Sequence, residues 1–281
     1  DEQLDSIVEV LLVSRLRRWL LVCVAVLVSA RGMIAQTVDA SKYDSFWLWS
    51  GVRPQPVLKQ ARCVYILQGQ IEASLDDVSI ARFIAQGGTV PQHQQTEVWL
   101  AYRVHTLHWT PRTNAILLAQ LDRWREAGNN VVGVQIDFDA HTLHLDEYVE
   151  FLRQFRQRLP AKYHLGITGL LDWSSRADPD QVNELRGIVD EVVVQTYQGR
   201  GTIENYADYL PRVSRLTLPF KIGLIQGGNW DAPEYIAKTP WFRGYVVFLQ
   251  NPRAPKQEIQ PAKQGANCGS RFIPCLAGGS G

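Results

Sequence analysis

Across residues 45–250, short apolar runs alternate with stretches whose apolar positions recur at helical spacing. Eight runs are rich enough in Val, Ile, Leu, Tyr and Trp to predict strands: 45–50, 62–67, 97–103, 131–138, 163–169, 190–197, 219–226 and 243–249. Most are apolar at nearly every position, the pattern of parallel strands covered on both faces rather than of a half-solvated antiparallel sheet. Helical patterning is clearest in the middle of the chain. Thr110 and Pro111 mark a helix start, Leu117, Leu118, Leu121 and Trp124 form one stripe, and Gly128 after Ala127 marks the end. Tyr148, Leu152, Phe155 and Leu159 share one side of a second helix over 144–159, which Pro160 stops. Shorter helices are predicted at 75–86, 178–188, 204–210 and 231–238.

Eight strand–helix units without a low-complexity linker predict one (β/α)8 TIM barrel over 45–252, with no antiparallel member in its main sheet. A doubly wound open sheet is the alternative, but neither a Gly-x-Gly-x-x-Gly turn nor a Walker sequence follows the first strand. In the barrel Trp124 should be buried on its helix, and Trp173 or Trp230 partly exposed at the C-terminal mouth. From about Pro252 the composition shifts to Pro, Lys, Gln, Gly and Ser, so 253–281 is read as an irregular tail.

The N-terminal pattern is different. Arg15, Arg17 and Arg18 precede an apolar run over 19–28 that ends in Ser29 and Ala30. That is the order of a secretory signal peptide, and the run falls short of the roughly 20 residues that span a bilayer. Residues 1–35 are therefore read as a signal peptide with an upstream segment, the mature chain being secreted or periplasmic and not stably inserted in a membrane. A signal anchor or a buried N-terminal helix is the alternative reading. In an oxidising compartment Cys268 and Cys275 are a candidate disulfide, Cys23 leaves with the signal, and Cys63 reads as a buried free thiol. No cysteine spacing suggests zinc, and no cofactor or metal is expected.

Composition narrows the partners. Hydrophobic residues at 46% and charged residues at 20% exclude disorder over most of the 281 residues. With 29 Lys+Arg against 28 Asp+Glu the formal charge is +1, so no field gathers a polyanion and nucleic acid is not an expected partner. The 9 Trp and 10 Tyr supply flat apolar faces with polar edges, which suit sugar rings as well as cores.

Candidate chemistry concentrates on the fourth strand. Alternation places Gln135, Asp137 and Asp139 on one face, with His141 continuing the column, while Val134, Ile136 and Phe138 face the helices. The column runs towards the C-terminal ends of the strands, where barrel active sites lie. Asp139 and Asp137 are thus candidate catalytic carboxylates, their Cβ atoms roughly 6.5 to 7 Å apart on a strand, and one should hold its proton more tightly than usual. Asp137 reads equally well as a structural acid bonded across the barrel. Asp172, after the fifth strand, is the third catalytic candidate. Gln195 and Tyr197 share a face of the sixth strand, Gln226 ends the seventh, and Trp49, Trp99, Trp173 and Trp230 are available to line a cleft. With Gln135 and His141 they form the expected substrate-binding set.

From Ser45 to Pro252 the chain resembles the glycoside-hydrolase-like TIM barrels, specifically a bacterial domain-of-unknown-function family, family 3142, with Gln135-Ile136-Asp137-Phe138-Asp139 as the most recognisable piece. More distantly the fourth strand is similar to that of family 18 chitinases, whose signature is Asp-x-x-Asp-x-Asp-x-Glu. Asp137 and Asp139 match the two central aspartates, Val134 stands at the first Asp, and His141 stands where that family has its catalytic Glu. Gln195-Thr196-Tyr197-Gln198 is similar to the sixth-strand Met-x-Tyr-Asp segment, with Tyr197 matched and Gln198 in place of the Asp. The resemblance implies an exported glycoside-hydrolase-like protein that acts on or binds a polysaccharide. Glycosidic cleavage needs a proton donor and a group that meets developing positive charge. Asp139 with Asp137, or Asp172 with Asp139, are the pairs available for those roles. A catalytically inactive carbohydrate-binding barrel is the alternative. A barrel whose Asp-x-Asp holds a divalent cation is a third reading, and it would need further oxygen ligands.

Overall fold

In the computed structural model, residues 36–77, 80–87, 95–138, 145–171 and 182–252 are described. The segments read as signal peptide and tail, with Cys268 and Cys275, lie outside them.

Eight parallel strands close on themselves: β2 (Ser45–Leu48), β3 (Cys63–Ala73), β5 (Glu97–Val104), β6 (Asn130–Phe138), β7 (His164–Leu170), β8 (Glu191–Gln195), β11 (Phe220–Ile225) and β13 (Phe242–Phe248). Their order round the ring is their order in the chain, and β13 pairs with β2 to shut it. The eight apolar runs correspond to these strands with ends shifted by a few residues. The largest difference is β3, which continues past Leu67 through a register shift against β5.

That extension overturns one expectation. Residues 75–86, read as a helix, instead hold β4 (Ala81–Ala85), which pairs antiparallel with β3 from Gly69↔Ala85 to Ala73↔Ala81. The main sheet therefore has one antiparallel member, hung on β3 outside the closed ring. Gly69 makes room for it: a Cβ there would lie 2.3 Å from the Phe83 ring.

Among the described residues four α-helices are present, so the strand–helix alternation is incomplete. The two long ones match the pattern. Helix α1 (Pro111–Glu126) starts at Thr110, whose hydroxyl accepts from the Thr113 N–H, and Gly128 ends it with φ +89°. Leu117 and Leu121 are fully buried, and the indole of Trp124, buried as expected, donates to Gln68 Oε1 at 2.8 Å, tying α1 to β3. Helix α2 (Leu145–Arg158) buries Tyr148, Leu152 and Phe155. The others are single turns. Within 204–210 there is a 3-10 turn, Tyr206–Asp208, before α3 (Leu210–Val213), and within 231–238 only α4 (Glu234–Ala237). The described part of 178–188 is mostly turn. These stretches are too short to repay helix nucleation with several hydrogen-bonded turns. None of the described helices is long and apolar enough to cross a membrane.

Two short ribbons complete the chain, β1 (Gln36–Thr37) with β12 (Asn229–Trp230), and β9 (Tyr197–Gln198) with β10 (Gly201–Thr202), both antiparallel.

The ring interior is filled by two indoles resting on glycines. Trp99 on β5 lies where Cβ atoms of Gly133 and Gly166 would be, 2.7 and 3.0 Å from their ideal positions, and Trp47 on β2 covers Gly223 at 2.7 Å. Below them, near the strand starts, Lys221 Nζ lies 2.7 Å from Glu191 and donates to Tyr65 Oη at 2.8 Å, and the Tyr65 hydroxyl donates to Glu191. Cys63, at the start of β3, is buried and free. Burial pushes its thiol up to about 12, although Lys221 pulls in the opposite direction.

Candidate functional site

A cavity of about 650 Å³ opens at the C-terminal ends of the strands. Its described lining comes from around the ring: Arg103 from β5, Asp137 from β6, Leu170 from β7, Gln195 from β8 and Phe248 from β13. Trp49 follows β2, and Tyr197, Gln198, Gly199, Ile203 and Tyr209 come from the β9–β10 ribbon and the segment after it. One wall is aromatic. Trp49 and Phe248 lie 5.5 Å apart between ring centroids, and Tyr197 and Phe248 the same. Asp137, Arg103, Gln195 and Gln198 make up a polar wall.

Asp137 is the centre of that polar wall. Strand alternation turns it inward, and only 4% of it is exposed. Thr168 on β7 donates to Asp137 Oδ1 at 2.7 Å, and Gln195 on β8 approaches the same oxygen at 3.4 Å. Arg103 on β5 brings its Nε to 3.5 Å from Oδ2. The Arg103 guanidinium also lies 4.8 Å from the centroid of the Trp49 ring, a cation–π contact that joins the polar wall to the aromatic one. A carboxylate surrounded by donors from three strands is suited to serving as a fixed negative charge.

The expected substrate-binding residues fall into three groups. Trp49, Gln195 and Tyr197 line the cavity with Asp137. Gln135, Trp99, Gln226 and Trp230 do not, each for a visible reason. Gln135 is fully buried beneath Asp137, its Oε1 accepting from Trp47 Nε1 at 2.6 Å, and its Nε2 has no partner among the described residues. Trp99 is interior packing, stacked on Tyr65 at 5.6 Å. Gln226 forms a reciprocal amide pair with Gln55, at 3.1 and 2.9 Å, and accepts from the Gln250 N–H. Trp230, expected to be partly exposed at the mouth, is instead 5% exposed and packs outside the ring, 4.9 Å from Tyr206 and edge-on to Tyr245. An indole buries well against other rings, and there the outer layer provides them. Asp139, His141, Asp172 and Trp173 lie outside the described residues.

Arg103, Thr168 and Phe248 were not among the expected site residues. Arg103 could have been found by the alternation applied to the fourth strand, since Glu97, Trp99, Ala101 and Arg103 share the inward face of β5. Among the described residues no group of three or more His, Cys, Asp or Glu side chains is placed to hold a metal ion.

Comparison with known proteins gives a family-model match over part of the chain and a set of distant structures. The family model described as "Domain of unknown function (DUF3142)" matches residues 105–202, from just after β5 through β10, a shorter span than the 45–252 over which the resemblance was read. No curated protein matches the sequence. Among solved structures, the Bacillus cereus spore cortex-lytic enzyme SleL is 17% identical with a TM-score of 0.41, over 64% of this chain and 49% of that one. The Bacillus megaterium enzyme of the same name gives 13% and 0.42 at the same coverage, so the chain spans about half the length of both. Concanavalin B is 12% identical with a TM-score of 0.44, over 75% of this chain and 94% of that one.

Proposed function

We propose that the mouth cavity binds a saccharide, and that the chain is an exported glycoside-hydrolase-like barrel acting on a polysaccharide. The observation that carries this reading is that one cavity combines the rings of Trp49, Tyr197 and Phe248 with the polar groups of Asp137, Arg103 and Gln195. A pyranose presents an apolar face to stack and a rim of hydroxyls to hydrogen-bond, and pockets with few, well-placed polar groups on an apolar wall are the usual small-molecule sites. Asp137 serves as the fixed charge that meets positive charge developing on the sugar. Asp139, next after Phe138, and Asp172, next after Leu171, are the proposed sources of the proton.

Calorimetry with neutral glucan and amino-sugar oligomers tests binding, with Trp49→Ala expected to weaken it at least about tenfold. Turnover of the same oligomers tests catalysis. Asp139→Asn or Asp172→Asn, whichever removes the acid, should lower kcat by at least about 100-fold while leaving binding largely intact. Binding without turnover in the parent would establish the inactive carbohydrate-binding barrel. Absence of both, here and with the acidic sugars below, would overturn the saccharide assignment. Export is tested on protein from its native host, where intact mass should show a new N-terminus between residues 31 and 36.

A further inference from the structure

We propose that the saccharide taken by this mouth carries a carboxylate, gripped by the guanidinium of Arg103; the inference rests on the saccharide reading and names its substrate class. Arg103 is the one cation among the described lining residues, and Asp137 the one acid. They are presented differently. Asp137 is buried, with Thr168 and Gln195 donating to it, whereas 36% of the Arg103 side chain is exposed. Of the two charged side chains, Arg103 is therefore the more accessible to a ligand.

The guanidinium is also only partly used. Its Nε faces Asp137 at 3.5 Å and its Cζ lies over the Trp49 ring, and neither Nη hydrogen-bonds another described residue. Two parallel N–H donors on a planar fork match the two oxygens of a carboxylate, a geometry that hydroxyls reproduce poorly. Contacts on two sides fix the side chain before ligand arrives, so less rotamer freedom is lost on binding. The other polar groups of the described lining, the amides of Gln195 and Gln198 and the hydroxyls of Tyr197 and Tyr209, add no further carboxylate.

The test is calorimetry on the full chain with tetrasaccharides of galacturonate, of mannuronate and of hyaluronan, each beside its carboxyl-reduced counterpart. At least one acidic form should bind at least about tenfold more tightly than its reduced partner, the range of one charge-assisted pair. Arg103→Gln should close that gap to within about threefold, and Arg103→Lys, which keeps the charge beside Asp137 but loses the fork, should retain part of it. Thermal melting checks that both variants fold; should Arg103→Gln not fold, the parent's own gap and its reduction in Arg103→Lys decide. If reduced and acidic forms bind equally, this inference falls and the saccharide reading stands. If neither form binds and the neutral oligomers fail as well, both fall. A gap that survives Arg103→Gln, or a sulfated carboxyl-free tetrasaccharide bound as tightly as the uronate, also overturns the assignment.

Discussion

Trp47 on β2 donates its indole N–H to Gln135 on β6 at 2.6 Å, a hydrogen bond that crosses the interior between strands three places apart round the ring. It sits directly below the Asp137 cluster and fixes the floor of the cavity. Trp47→Phe keeps the aromatic bulk and leaves Gln135 Oε1 buried without its donor. The expected cost is about 1–3 kcal/mol in urea unfolding, the range for a stranded buried acceptor. Adding Gln135→Leu should recover part of it, because the polar group is then removed along with its partner. A double variant no more stable than Trp47→Phe would show that the indole matters only by filling space.

Lys221, Glu191 and Tyr65 form a closed polar group at the other end of the interior. Lys221→Met leaves an uncompensated buried carboxylate and should cost about 3–5 kcal/mol. The triple variant Tyr65→Phe, Glu191→Met, Lys221→Met should be more stable than that single variant, since no buried charge or hydroxyl is left unpaired. Equilibrium unfolding of the two proteins decides, and a triple variant at or below the single would contradict this account.

Cys63 gives a pH dependence with a definite sign. Its thiol is held near 12 in the folded chain against an ordinary 9.0. Above pH 9 the unfolded chain loses this proton while the native one keeps it, so the native state binds more protons and stability falls as pH rises. The full contribution is present below pH 9 and is lost progressively towards pH 12, at up to about 1.4 kcal/mol per pH unit. Tyr65, also raised by burial, adds the same trend above its ordinary 10.0. Between pH 9 and 10 the slope of stability should therefore be shallower in Cys63→Ala than in the parent, whatever the constant offset from the smaller side chain. Equal slopes would remove Cys63 from the explanation.

Gly133→Ala should be among the costly small substitutions. Its Cβ would lie 2.5 Å from the His164 carbonyl oxygen and 2.7 Å from the Trp99 ring, so backbone or indole must move, at about 1–3 kcal/mol. Gly201→Ala is the control, with nothing within 4 Å of the added carbon. Melting temperatures of the two should separate by several degrees, and a match between them would mean the interior is looser than these distances imply.

The strands were legible because each buried both faces, and the resulting runs of Val, Ile and Leu are hard to read as anything else. α1 was legible for a different reason: Thr110, Pro111 and Gly128 write both its ends. What local pattern could not convey was which partner a segment would find. Residues 81–85 have no strong strand signature of their own and become β4 because β3 outruns the ring and Gly69 leaves space for Phe83. The site divides in the same way. Alternation led to Asp137 and Gln195, whereas tryptophans are equally at home against sugars and against other rings, so Trp49 lines the cavity while Trp99 and Trp230 are packing. Arg103 lay within reach of the alternation already used one strand later. The glycines on β6, β7 and β11 were the unread signal that large side chains occupy the interior.

The ring is not shut equally firmly all round. β3 and β5 share eight paired positions, but β13 and β2 share two, Val247↔Phe46 and Phe248↔Trp47. A ladder with so few rungs is where a closed sheet breathes first, and amide protons there should exchange ahead of those on β3 and β5. Phe248 belongs to the last of those rungs and Trp49 lies two residues beyond its partner Trp47, their ring centroids 5.5 Å apart. A ligand wedged against both rings acts as a clasp, so occupancy of the mouth should be felt as slower exchange along the seam.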